Sequence, residues 1–153
     1  MALLGHSGSH APQLMHSSVI MMAMADTFGV QMYNLNKLSP SLVQLGSWLR
    51  EEAPNDAATK RLAEAQNAWF TSESIDLSLR SHGQALSGED LASWLGDRTM
   101  PKSWSGKKVG MILPGNLPLV GWNDILCGVM SGHEVHVKAS KDDQVLPRWV
   151  VKQ

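Results

Sequence analysis

A chain of 153 residues with 43% hydrophobic content has room for about one domain and lacks the composition of a disordered protein. A net charge of −1 gives no electrostatic reason to expect nucleic acid or an anionic membrane as a partner. No run reaches the roughly 18 consecutive apolar residues of a membrane-spanning helix, so no membrane span is predicted. The single cysteine, Cys127, excludes an intrachain disulfide and favours a reducing, cytoplasmic location.

Residues 1–31 differ in composition from the rest of the chain, because they are rich in Met, Ser and His and contain no Lys, Arg or Glu. His6, His10 and His16, together with the methionines, would suit a soft metal such as copper. The Gly and Ser residues between the histidines are typical of a flexible segment, which would not fix a coordination geometry. We therefore expect a poorly ordered or non-native extension here, and no metal site. Without a basic n-region, the apolar run 19–25 does not predict a signal peptide.

Residues 32–100 predict a helical lead-in of short amphipathic helices. The first begins at Ser39, with Pro40 in the first helical position, and ends before Pro54. Asn55 or Asp56 can cap the second, whose apolar side is expected to contain Ala58, Leu62, Ala65, Trp69 and Phe70.

The last two helices of this lead-in also carry terminal signals. The third begins at Thr71 or Ser72, and the fourth has Ser87 as its N-cap and Gly96 as its stop. None of these helices is long enough to be stable without tertiary packing. Trp48, Trp69 and Trp94 fall on apolar stripes, so we expect core packing and not a stacking platform for bases or sugars. Residues 97–106 have turn composition and form the expected boundary.

A βαβ unit is predicted between Lys107 and Lys138. The apolar run 109–113 is followed by the turn 114–116, a helix from Pro118 to Ser131 and a second β-type run at 135–137. The fingerprint G-x-G-x-x-G is absent, so no standard Rossmann phosphate loop is predicted.

The turn in this unit carries the most specific chemistry. Pro114 and Pro118 fix the backbone on either side of it, and Gly115 leaves space for a group to approach. Asn116 is then a fixed amide donor near a helix N-terminus, which suits a developing negative oxygen. The alternative stays open that Asn116 only bonds its local backbone, as turn asparagines often do.

The stretch from Val109 to Pro147 resembles the acyl-CoA reductase family, the reductase component of fatty-aldehyde synthesis in luminous bacteria and its relatives. That family belongs to the aldehyde dehydrogenase superfamily, where one strand ends in Pro-x-Asn-x-Pro and the next ends in Lys before a small or Pro residue. The matching residues here are Pro114-Gly115-Asn116-Leu117-Pro118 and Val137-Lys138-Ala139-Ser140. The Pro-Gly-Asn version and the Ser-Gly-His at 131–133 point to the acyl-CoA reductase branch.

The resemblance implies an α/β fold, in which N-terminal helices precede the first βαβ unit of an aldehyde-dehydrogenase-like, Rossmann-type cofactor domain. Residues 107–153 would form part of that NAD(P)-binding domain. The reaction implied is NADPH-dependent reduction of an acyl-CoA or acyl-protein thioester to an aldehyde through an acyl-cysteine, with NAD(H) as an open alternative cofactor. Asn116 would donate to the thioester carbonyl oxygen, and Lys138 would contact the adenosine ribose or its 2′-phosphate. Ser140, Pro114 and Gly115 would lie beside the cofactor.

The resemblance also implies that the nucleophilic cysteine of the family is absent from this chain, because it lies downstream in another domain. Cys127 falls within the predicted crossover helix among apolar residues, where a cysteine behaves as an inert small hydrophobe. We therefore expect an N-terminal fragment that is inactive by itself. A homo-oligomer or an acyl-transfer partner protein is compatible with this reading.

Three alternatives remain at this point. Lys138 could be an ordinary strand-end lysine in water, and Ser140 could serve only as a helix N-cap before the acidic Asp143. The whole chain could also be a non-catalytic module that binds a nucleotide or a protein.

Overall fold

The computed structural model describes residues 28–31, 35–96 and 107–153. None of the helices in these ranges is long and apolar enough to cross a membrane. In chain order the elements are β1 (Phe28–Gln31), α1 (Leu35–Glu51), a 3-10 helix (Ala53–Asn55), α2 (Ala57–Gln66), α3 (Ser72–Ala85), α4 (Gly88–Leu95), β2 (Lys108–Ile112), α5 (Trp122–Met130), β3 (Glu134–Lys138) and α6 (Val145–Val150).

The described strands form one sheet in the order β1–β3–β2. β2 and β3 are parallel, with α5 between them in the chain, so the predicted βαβ unit and the α/β class are confirmed in coarse form. β1 pairs antiparallel with β3, placing Phe28 opposite Val137. This strand lies within the segment 1–31, where no strand is predicted from the sequence. Residues 1–27, including the three histidines of the copper hypothesis, lie outside the described residues.

One face of the parallel pair packs on α5. Val135 and Val137 on β3 are fully buried, whereas the alternating residues Glu134, His136 and Lys138 are half-buried on the opposite face. α5 comes so close to the sheet that a Cβ atom on Gly128 would be 2.7 Å from side-chain atoms of both Met111 and Val135. The absence of a side chain at Gly128 therefore sets the distance between the helix and the sheet.

The helix caps of the lead-in agree with the sequence. Asp56 accepts the backbone N–H groups of Ala58 and Thr59, and Ser87 accepts that of Asp90. Thr71 and Ser74 form a reciprocal capping box at the start of α3. Because each of these bonds joins residues no more than three positions apart, a local pattern is sufficient to predict them.

Two predicted helix starts are wrong. α1 begins at Leu35, so Pro40 lies beyond its first turn and the helix lacks the hydrogen bond that residue 40 would otherwise donate. α5 begins at Trp122, because Leu119 has a φ of 56° and this left-handed backbone cannot belong to an α-helix.

The prediction of core packing is wrong for two of the three tryptophans. Trp48 is half-buried and packs on Trp149, with ring centroids 4.8 Å apart, but Trp69 is 87% and Trp94 46% exposed. α2 ends at Gln66, so Trp69 lies in the following turn and not on a helix stripe. Trp94 lies on α4, whose core contact is made by Leu91.

The apolar side expected for α2 is wrong for four of its five residues, since only Phe70 is buried and it lies beyond the helix end at Gln66. Leu62 is 62% exposed, and the buried residue of this helix is Ala63. α2 packs against α3 and the short α6. The main helical core lies between α1 and α3, where Leu49, Ile75 and Leu79 are fully buried.

Candidate functional site at the ends of the parallel strands

The carboxyl ends of β2 and β3 lie side by side. Ile112 is the register partner of Lys138, and the N–H of Leu113 donates to the Lys138 carbonyl at 2.9 Å. The chain leaves β2 into the turn 114–121 and leaves β3 into the turn 139–144. In α/β sheets this edge is where ligands bind, because loops from neighbouring strands meet there. We call these two segments the Asn116 turn and the Ser140 turn.

The two turns are in direct contact. Gly115 lies against the side chain of Ser140, which occupies the position that a Cβ atom on residue 115 would need. Ser140 Oγ in turn accepts the backbone N–H of Asp142 at 3.2 Å. α6 begins only at Val145 and has no side-chain cap, so Ser140 stabilises a turn and does not cap a helix.

Asn116 is at the exposed surface of its turn. Its side chain forms no hydrogen bond with another residue in the described ranges, so the amide is not engaged by its local backbone. Pro114 and Leu117 beside it are also exposed, whereas Pro118 is buried. The arrangement presents the amide outward from an anchored turn.

Two residues of the helical lead-in hold this turn in place through hydrogen bonds. The Asn67 side chain donates to the carbonyl of Gly115 at 3.0 Å, and the Ser78 hydroxyl donates to the carbonyl of Pro118 at 2.7 Å. Asn67 is itself buried. Neither residue was predicted from the sequence, because each partner is 40 or more positions away and no local motif marks the pairing.

Two ionisable groups lie at the C-terminal part of the turn. Asp143 Oδ2 accepts the N–H of Leu119 at 2.9 Å, and the half-buried His82 lies close to the Leu119 backbone and the Asn123 side chain. Burial raises the pKa of Asp143 to about 6, against the opposing effect of the Leu119 N–H. Burial lowers the pKa of His82, and its interactions with Asn123 and Leu119 only partly offset this. Neither group is predicted from the sequence to contact the Asn116 turn.

Lys138 is half-buried at the end of β3. Its Nζ atom donates to the carbonyl of Ala139 at 3.3 Å. On the same face of the sheet, His136 Nε2 lies 2.7 Å and Lys108 Nζ 3.5 Å from Glu134 Oε1. The hydrogen bond from His136 is the largest cause of the lowered pKa of Glu134. Among the described residues, the Lys138 ammonium donates to one backbone carbonyl only. Its other N–H groups are therefore available to a ligand beside the Ser140 turn.

Cys127 lies in α5 but does not have the apolar surroundings predicted for it. Its side chain is exposed and lines a cavity of about 550 Å³ between α5 and the helices α3 and α4. The buried face of α5 is formed by the residues on either side of it, including Leu126 and Gly128. No residue of the Asn116 turn lines this cavity. The described residues also contain no cluster of three or more His, Cys, Asp or Glu that could hold a metal ion.

Comparison of the chain with models of known protein families, with curated proteins and with solved structures found no match.

Proposed function

We propose that this chain supplies the carbonyl-binding and cofactor-contacting residues of an acyl-thioester reductase site, in the manner of the acyl-CoA reductase family. The observation that carries the proposal is the contact between the Asn116 turn and the Ser140 turn at the ends of two parallel strands. It brings an outward-facing amide and a strand-end lysine to one edge of the sheet, the residue types that the sequence motifs specify.

In this proposal Asn116 donates a hydrogen bond to the carbonyl oxygen of an acyl-CoA or acyl-protein thioester as negative charge develops there. A donor is effective in this role when it is held in place before the reaction. Asn67 and Ser78 supply that support, since each fixes a carbonyl of the turn with a direct hydrogen bond. They act as positioning residues for Asn116.

Lys138 and Ser140 fit the adenosine end of NADP(H), with NAD(H) as the alternative. A half-buried ammonium at a strand end can bind ribose hydroxyls and a 2′-phosphate, and the serine hydroxyl adds a neutral donor. The bound cofactor would supply the hydride. Cys127, the only thiol of the sequence, is not among the residues of this site, so we expect this chain by itself to give no acyl-CoA-dependent oxidation of NADPH.

A titration of NADPH fluorescence with the 153-residue chain tests the cofactor part of the proposal. We expect weak binding that Lys138→Ala reduces by about tenfold, equivalent to about 1.4 kcal/mol. Lys141→Ala is the matched control, because Lys141 is an exposed lysine on the Ser140 turn and has no role in the proposal. Equal effects of the two substitutions would mean that binding depends on net charge and would overturn the assignment of Lys138.

A protein-interaction module is the second candidate, and exposed apolar side chains favour it. Ile112 is 70%, Leu117 57% and Trp69 87% exposed, and β2 is an edge among the described strands. An exposed edge strand with apolar side chains can pair with another chain. A discrete complex in sedimentation analysis that Ile112→Lys dissociates, together with no NADPH binding, would favour this function. Leu62→Lys, on the exposed side of α2, is the control.

A further inference from the structure

Leu119 has an unusual backbone for its residue type. Its φ of 56° is left-handed, which costs a non-glycine residue roughly 1–2 kcal/mol, while its side chain is only 1% exposed. Such a conformation persists only where the surroundings enforce it. The neighbouring contacts of this residue therefore determine whether the Asn116 turn keeps its shape.

The backbone of Leu119 is held on both sides. Asp143, on the Ser140 turn, accepts the N–H at 2.9 Å, and His82, on α3, lies half-buried close to the Leu119 backbone. The N–H of Trp122 also donates to the Leu119 carbonyl, at 2.9 Å. Since Leu119 follows Asn116 by three positions, these contacts fix one end of the turn that presents the amide.

The Asp143 carboxyl is only half satisfied. The residue is 3% exposed, and Oδ2 binds Leu119 while Oδ1 has no hydrogen-bond partner among the described residues. An ionised carboxylate in such a place loses water that the protein does not replace. Protonation removes this cost, and the carbonyl oxygen of the neutral acid can still accept the N–H of Leu119.

The sign of the pH dependence follows from these contacts. The pKa of Asp143 is raised from 3.8 to about 6, so the buried carboxyl of the intact turn binds a proton more tightly than a solvent-exposed carboxyl does. The contribution of Asp143 to the stability of the turn is therefore complete below pH 3.8 and is lost as pH rises through about 6. The pKa of His82 is lowered from 6.5, so its contribution has the opposite pH dependence: it is present above that value and is lost as pH falls through the lowered pKa.

We propose that Asp143 is a pH-sensitive clamp on Leu119, which holds the Asn116 turn most firmly in mildly acidic solution and loosens it towards neutral pH. The geometry carries this inference: a left-handed residue, a buried carboxyl from a separate turn that accepts its N–H, and one carboxylate oxygen without a partner among the described residues. The clamp does not depend on the proposed reductase function, because protonation of Asp143 would affect the binding of any ligand to the Asn116 turn.

Charged neighbours do not set the two shifts. The ionisable side chains closest to Asp143 in the chain are Asp142, Lys141, Lys138 and Arg148, and those closest to His82 within α3 are Arg80 and Asp76. The causes of both pKa shifts are burial and hydrogen bonds alone. The pH response of the clamp should therefore change little with ionic strength.

Hydrogen exchange of the Leu119 amide in the full chain, followed by NMR and corrected for intrinsic rates, tests the clamp. In the His82→Gln variant, which lacks the opposite contribution of His82, we expect the protection of this amide to fall about tenfold between about pH 5 and pH 7, as Asp143 pKa values of about 6 and 3.8 require. The Leu113 amide, bonded to the Lys138 carbonyl in the sheet, is the internal reference and should not follow this change. A pH-independent protection of Leu119 in this variant would overturn the proposal.

Two further substitutions, each made in the His82→Gln background, make the test specific. Asp143→Asn keeps an oxygen acceptor without the charge, so Leu119 protection should stay high across this range. Asp142→Asn, on the exposed neighbour, should retain the pH profile of His82→Gln. If Asp143→Asn lowers protection at neutral pH and leaves the pH profile unchanged, the carboxylate is a simple anchor and the clamp is refuted.

Discussion

Gly115 and Ser140 join the two turns of the candidate site at a distance that leaves no space for another atom. A Cβ on Gly115 would be 2.5 Å from Ser140 Oγ, 2.6 Å from Ser140 Cβ and 3.2 Å from Asp142 Cβ. Contacts below 3.0 Å cannot be relieved by rotating the serine hydroxyl, because its Cβ is fixed to the backbone. The juxtaposition of Asn116 and Lys138 thus depends on the absence of a side chain at residue 115.

Gly115→Ala should separate the two turns and lower the stability of the protein by about 1–3 kcal/mol, the usual cost of overpacking. Urea unfolding followed by circular dichroism measures this change. Gly110→Ala is the matched control, because no atom lies within 4 Å of a Cβ built on Gly110. Ser140→Gly in the Gly115→Ala background should restore part of the loss. Equal stabilities of the two alanine variants would contradict the contact.

A second close approach joins α1 and α3. A Cβ on Gly46 would lie 2.8 Å from Leu86 Cβ, and one on Gly83 would lie 2.7 Å from the Gly46 carbonyl oxygen. Arg50 also donates to the Gly83 carbonyl across this crossing. The two helices therefore pack backbone against backbone at these glycines.

Gly83→Ala should destabilise the protein by about 1–3 kcal/mol, although alanine is the better helix former by about 1 kcal/mol. Gly88→Ala, at the first position of α4 with no neighbour within 4 Å, should be neutral or stabilising. Thermal unfolding of both variants checks the difference. If Gly83→Ala raises the melting temperature as much as Gly88→Ala does, the helices are not in contact at this point.

The parts of the structure that the sequence predicts are those encoded by near neighbours. The caps at Asp56, Thr71 and Ser87 each depend on residues within three positions, and all three are present. The strand–turn–helix–strand order after Lys107 follows from apolar runs and punctuating Gly and Pro residues. The positions of Asn116 and Lys138 at adjacent strand ends then follow from parallel pairing.

The parts that the sequence does not predict are set by contacts between distant residues. Asn67, Ser78 and Asp143 each support the Asn116 turn from another element, and none belongs to a motif with the residue it binds. The start of α5 shows the consequence. Pro118 is a good first residue for a helix, but the contacts at Leu119 impose a left-handed backbone and delay the helix to Trp122.

Trp48 and Trp69 show the difference between a local sequence pattern and a long-range contact. Apolar spacing predicts the same role for Trp48 and Trp69, yet Trp48 meets Trp149 edge-on, with an interplanar angle of 63°, while Trp69 is 87% exposed. The contact of Trp48 with α6 cannot be predicted from the sequence of α1, because Trp149 is 101 positions away in the chain. Stability measurements distinguish the two roles directly.

A double-mutant cycle on Trp48→Ala and Trp149→Ala should give a coupling free energy of about 0.5–1.5 kcal/mol, the usual value for an aromatic pair. Each single substitution should also cost about 1–3 kcal/mol through lost packing between α1 and α6. Trp69→Ala should change stability by no more than about 0.5 kcal/mol, since its ring is in water. Unfolding is best followed by circular dichroism, because the substitutions alter fluorescence. Additive effects of the pair, or a large cost at Trp69, would contradict these assignments.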